Sequence, residues 1–66
     1  MKNTFWTLIE DNYYRIHNGI LKYAPVVGID KKIALEKESY VDIISIEQLK
    51  LINYEFGCNF MMSDFL

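Results

Sequence analysis

Thr4-Phe5-Trp6-Thr7-Leu8-Ile9-Glu10-Asp11-Asn12-Tyr13-Tyr14-Arg15-Ile16-His17-Asn18-Gly19-Ile20-Leu21-Lys22-Tyr23 is the longest patterned stretch of the chain, and its reading decides the fold. Laid out at 100° per residue, Phe5, Trp6, Leu8, Ile9, Tyr13, Ile16, Ile20 and Tyr23 fall within an arc of about 160°, the width of a core-facing helical stripe. Only Asn12 and Gly19 interrupt that arc. Thr4, Thr7, Asp11, Arg15, Asn18 and Lys22 lie opposite. Asn3 or Thr4 supplies a cap, and Glu10 and Asp11 sit towards the positive end of the dipole. Pro25 disfavours helical geometry at Ala24 and closes the element. The pattern predicts a long N-terminal amphipathic helix.

Downstream, Val26-Val27-Gly28-Ile29-Asp30 reads as a connection. Residues 31 to 44 carry two signals. Ala34-Leu35-Glu36-Lys37-Glu38 favours helix, whereas Tyr40-Val41-Asp42-Ile43-Ile44 is β-branched and suits a short strand. A helix followed by an extended loop is the reading adopted. Ser45-Ile46-Glu47-Gln48 is a capping box that opens a helix through Leu49, Ile52 and Phe56, with Gly57 closing it. The expected architecture is therefore mainly α: a small compact helical domain spanning 1–66, built on the long first helix and a helix at about 46 to 56. The alternative is a small α+β domain with short strands near 32–35, 40–44 and 58–62. The expected core is Phe5, Ile9, Tyr13, Ile16, Ile20, Ile33, Ile46, Leu49, Ile52 and Phe56.

Sixty-six residues hold one domain and one core. A chain of this size is marginal without a disulfide, a metal or a partner. Cys58 is the single cysteine and His17 the single histidine, which removes an internal disulfide and leaves no zinc ligand set. The lone thiol points to a reducing, cytoplasmic setting. Nine acids against seven bases give a net charge of −2 with the signs interspersed. That provides no basic stripe for nucleic acid. No apolar run reaches the ~20 residues of a membrane span, and the N-terminus lacks the apolar stretch of a signal peptide. The excess of Asn, Ile, Lys, Tyr and Phe over Ala, Gly, Pro and Arg reflects AT-rich codons, as in some bacteria and their phages.

No catalytic, cofactor or metal-ligating set is expected. On the predicted helix His17 shares a side with Glu10, but no nucleophile accompanies them, and a solvated histidine accounts for the position. Cys58 follows a helix C-terminus, the wrong end of the dipole for a thiolate. Glu36 and Glu38 alternate on a solvated face, and Gly28 stands alone rather than in a phosphate-binding loop.

The large side chains are more informative. Tyr14 and Leu21 project from the polar side of the predicted helix, and Cys58 to Leu66 is unusually apolar for a tail. Trp6, Tyr14, Leu21, Met61, Met62, Phe65 and Leu66 are therefore the candidate partner-binding residues, since Trp and Tyr anchor interfaces and Met adapts to them. The function expected is that of a non-catalytic regulator or inhibitor, of bacterial or phage type, which occludes a larger protein. A structural homo-oligomer completed by the tail is a rival.

A third reading rests on resemblance. Ser45-Ile46-Glu47-Gln48-Leu49-Lys50-Leu51-Ile52, then Glu55-Phe56-Gly57, Phe60 and Asp64-Phe65-Leu66, loosely resembles the acyl or peptidyl carrier family over residues 39 to 66. The resemblance implies that Ser45 opens the family's second helix and carries a phosphopantetheine arm. Ile44 stands where that family has Asp, and the helix is about a turn short.

Overall fold

In the computed structural model, residues 2–65 are described, and the first half of the chain is a sheet. The strands are β1 (Thr7–Ile9), β2 (Asn12–His17), β3 (Ile20–Val27), β4 (Lys32–Ile33) and β5 (Ser39–Tyr40). One helix, α1 (Ile46–Phe56), follows, with single 3-10 turns at Leu35–Lys37 and Met62–Phe65. The sheet is antiparallel and curled into a half-barrel in the order β1-β2-β3-β4. β3 pairs with β2 along its length; its other edge takes β5 opposite Lys22–Tyr23 and β4 opposite Val26–Val27. Pro25 falls between those two short partners, where its missing N–H breaks no ladder.

This corrects the mainly α expectation: no long N-terminal helix exists, and the domain is small α+β rather than helical. Asn18-Gly19 is the reason. Both residues have positive φ (53° and 79°), as a type I′ turn requires, and they join β2 to β3 with His17 opposite Ile20. Glu10-Asp11 makes the preceding two-residue turn, with Glu10 at φ 58°. Pro25 sits inside a strand instead of ending a helix. The short strands at 32–33 and 39–40 fall near two that the α+β alternative placed, whereas residues 58–61 are irregular.

Alternation in the strands sets the core. Tyr14 and Ile16 on β2 and Leu21 and Tyr23 on β3 point to one face, with Ile9 from β1. There they meet α1 through Ile52, which has no exposed surface, and buried Leu49 lies one turn earlier. Leu49, Ile52, Asn53 and Phe56 follow the i, i+3, i+4, i+7 spacing of a helix stripe. Val41, Ile44, Cys58, Phe60 and Phe65 close the margins. Full burial of side chains such as Ile16 and Ile52 contributes about 1.5–3 kcal/mol each. Of the expected core, Ile9, Ile16, Leu49 and Ile52 are buried and Tyr13, Ile33 and Phe56 half-buried, but Phe5, Ile20 and Ile46 are exposed.

Ser45 caps α1 as expected, its Oγ accepting from the Gln48 N–H at 3.2 Å. Gly57, at φ 62°, ends the helix in the left-handed conformation, and the Cys58 N–H reaches back to the Asn53 carbonyl at 3.1 Å, a Schellman closure. Before β1 the chain continues along β2 with one residue too many. The β1 register extrapolates to Phe5 opposite Ile16, yet Thr4 occupies that place. Its N–H donates to the Ile16 carbonyl (2.9 Å), and its Oγ1 accepts from the Ile16 N–H (2.8 Å). The extra residue makes a bulge and leaves Phe5 92% exposed. Asn3 Oδ1 caps the Asn18 N–H at 2.8 Å, and Lys2 Nζ donates to the Phe56 carbonyl at the end of α1.

Candidate functional site

The residues selected from sequence divide between the two faces of the sheet and the core. Tyr14 and Leu21 are buried, Tyr14 beside Tyr23 with ring centroids 6.5 Å apart. The surface role expected of them fails with the helix that was to display them, because in β2 and β3 they alternate inwards. Trp6 lies on the outward face, half-buried, with the Arg15 guanidinium carbon 5.8 Å from its ring centroid. Met61 and Met62 are exposed, and half-buried Phe65 packs on Phe60 at 5.8 Å on the helix side. Leu66 lies outside the described residues. Trp6 and the tail therefore occupy opposite faces of the sheet and form no common patch.

The tail is held by α1. Asn53 Nδ2 donates to the Phe60 carbonyl (3.0 Å), and Asn53 Oδ1 accepts from the Phe60 N–H (2.9 Å) and the Cys58 thiol (3.2 Å). Asp64 Oδ2 accepts from the Met61 N–H at 2.8 Å and fixes the last turn. Cys58 is thus half-buried, with its thiol donated to a side-chain carbonyl.

Between this tail and the extended residues 41–45 lies an apolar cleft of about 250 Å³, lined by Asp42, Ile43, Ile44, Met62 and Phe65. Ile43 is 88% exposed at its lip. Ile43 and Ile44 also wall a second cleft of about 240 Å³, which runs past Ser45 to Glu10 and Asp11. Phe65 also lines a third cleft, of about 290 Å³, that includes Ile20 and Asp64. Sequence reasoning found Met62 and Phe65 from the apolar tail but missed Ile43, because Tyr40–Ile44 read as strand or loop. The available signal was a β-branched pair placed directly before a helix cap.

The other candidates stand apart. Glu10 lies in the turn before β2 and His17 is the last residue of that strand, about 17 Å of strand away, so the shared side that a helix would give them does not exist. His17 Nδ1 is 3.2 Å from Arg15 Nη2 and its Nε2 3.4 Å from Asn18 Nδ2, all at the exposed hairpin end. Ser45 is exposed with its hydroxyl engaged as the cap, and a sheet precedes its helix where the carrier resemblance implies a helical neighbour. Among the described residues no three His, Cys, Asp or Glu side chains gather as a metal site, and no helix is long and apolar enough to cross a membrane. The chain matches no family model, no curated protein and no solved structure.

Proposed function

We propose that this domain is a non-catalytic, cytoplasmic protein-binding module that acts by occluding a larger partner protein in fixed stoichiometry. The observation that carries the reading is the imbalance of its apolar surface. Eight apolar side chains are buried among the described residues, two of them alanines, while thirteen large ones are exposed. Scattered exposed apolar residues are normal. A groove lined by half-buried Ile44 and Phe65 and exposed Ile43 and Met62 is where this apolar surface becomes concave, the shape that side-chain docking uses. The lone thiol of Cys58 supports the reducing compartment. Recovery of the tagged protein from its host, followed by native mass spectrometry, tests the proposal. A fixed-stoichiometry complex with a second protein is the expected result; the bare monomer, or an oligomer of this chain alone, overturns it.

A further inference from the structure

The charge around the groove points to the chemistry of what fills it. The three clefts contain the carboxylates of Glu10, Asp11, Asp42 and Asp64, and no Lys, Arg or His lines any of them. Three of the seven Lys and Arg side chains have partners of their own on other parts of the surface. Lys22 pairs with Glu38 at 3.2 Å and Lys32 with Asp30 at 3.5 Å, both along the β3–β4–β5 side, and Arg15 lies over Trp6 on the outward face. None of the four cleft carboxylates forms an ion pair among the described residues. In a chain of net charge only −2, this sets an apolar slot beside an acidic rim made by Asp42 and, across Ile43 and Ile44, by Glu10 and Asp11.

We propose that the Ile43–Met62 groove takes a cationic amphipathic segment of a partner protein. An apolar side chain of that segment seats between Ile43, Met62 and Phe65. Its Lys or Arg side chains meet Asp42 on one flank and Glu10 and Asp11 along the other. Helix-in-groove recognition combines an apolar slot with a charged border in this way, the border setting encounter rate and register more than affinity. Anionic lipid and nucleic-acid phosphates are repelled by the same rim. The inference rests on the protein-binding reading and specifies which surface and which partner chemistry carry it.

The test titrates the full chain with a labelled, alternately patterned Leu/Lys helical peptide and with its Leu/Glu counterpart, read by fluorescence anisotropy. Ile43→Ser and Asp42→Lys are the groove variants; both alter exposed side chains, and circular dichroism checks that each keeps the fold. Expected are binding of the Leu/Lys peptide alone, a loss of tenfold or more in each variant, and weakening as salt is raised. Equal binding of both peptides, binding of neither, or Leu/Lys binding indifferent to both variants overturns the groove assignment. So does concentration-dependent self-association abolished by Ile29→Ser, which would show the groove filled by the exposed Gly28–Lys31 turn of a second copy. Native complexes compared for wild type and Ile43→Ser separate the two proposals. A complex untouched by Ile43→Ser keeps the binding function and rejects the groove; a complex missing from wild type rejects the binding function itself.

Discussion

Asn53 holds Phe60 by both of its peptide groups, donating to the carbonyl at 3.0 Å and accepting from the N–H at 2.9 Å. One side chain on α1 thereby substitutes for the strand partner that residues 58–61 lack. It also aims Phe60 and Phe65 at the core and so shapes one wall of the groove. Asn53→Ala leaves the Phe60 peptide groups and the Cys58 thiol without that partner, at about 1–3 kcal/mol. Asn53→Asp keeps the acceptor and loses the donor, so its loss is expected to be smaller. Urea denaturation measures the ranking, and hydrogen exchange at the Phe60 amide reports the local release. An amide protected equally in Asn53→Ala would show that the tail is held by packing alone.

The hairpin between β2 and β3 depends on backbone that few residues adopt. Gly19 at φ 79° has open space where a Cβ would stand, so Gly19→Ala meets no steric neighbour and only the left-handed conformation opposes it. The expected loss is about 1–2 kcal/mol. Asn18→Gly, which accepts the same conformation but loses backbone entropy, is expected to change stability by less. Thermal denaturation of the pair decides it: equal losses would mean that the turn does not set the register.

That turn also explains how much of the fold was legible in the sequence. Strands separated by two-residue turns bring Ile9, Tyr14, Ile16, Leu21 and Tyr23 inwards, at spacings of five, two, five and two. Each five and two sums to seven, so Ile9, Ile16 and Tyr23 fall on a heptad and mimic a helical stripe. Tyr14 and Leu21 were the discrepancy, since a helix strands them on its polar side, and both are core. Asn-Gly between apolar runs is the strongest short hairpin signal, and it outweighs the wheel because a helix interior disfavours that dipeptide. The second half was legible because its signals are local: Ser45, Gln48 and Gly57 fix α1 at both ends. The groove was not, because its walls come from residues 42–44 and 62–65, which only the tertiary fold brings together.

Core and surface positions on α1 should separate sharply. Ile52→Ala removes a side chain with no exposed surface and is expected to cost about 2–5 kcal/mol, comparable to the whole stability of a domain this small. Ile46→Ala, half exposed at the first position after the cap, stays within about 0.5 kcal/mol. Circular dichroism at 25 °C distinguishes them, the first largely unfolded and the second native. A folded Ile52→Ala would mean that the sheet stands without the helix.

Ser45→Ala removes the hydroxyl that accepts from the Gln48 N–H and is expected to cost about 1 kcal/mol. The helix is short, so the loss should appear as a lower urea midpoint with an unchanged slope. Peptide mapping of the protein from its host should find the peptide that contains Ser45 at its unmodified mass. An added group on Ser45 would contradict the capping account, since the same oxygen would then carry a substituent.

Trp6 and Ile43 provide a test of which face of the sheet the partner meets. Trp6 stacks with Arg15 on the outward face, while Ile43 borders the groove on the helix side. A compact partner seated on one face does not reach the other. Trp6→Ala is therefore expected to change partner affinity by less than about twofold, a factor that corresponds to some 0.4 kcal/mol. Ile43→Ser is expected to weaken it tenfold or more. Trp6, the only tryptophan, also serves as a probe, and its emission should stay unchanged when the groove fills. Reversed sensitivities, with a shift in Trp6 emission on binding, would move the interface to the outward face and leave the groove as a packing margin of the tail.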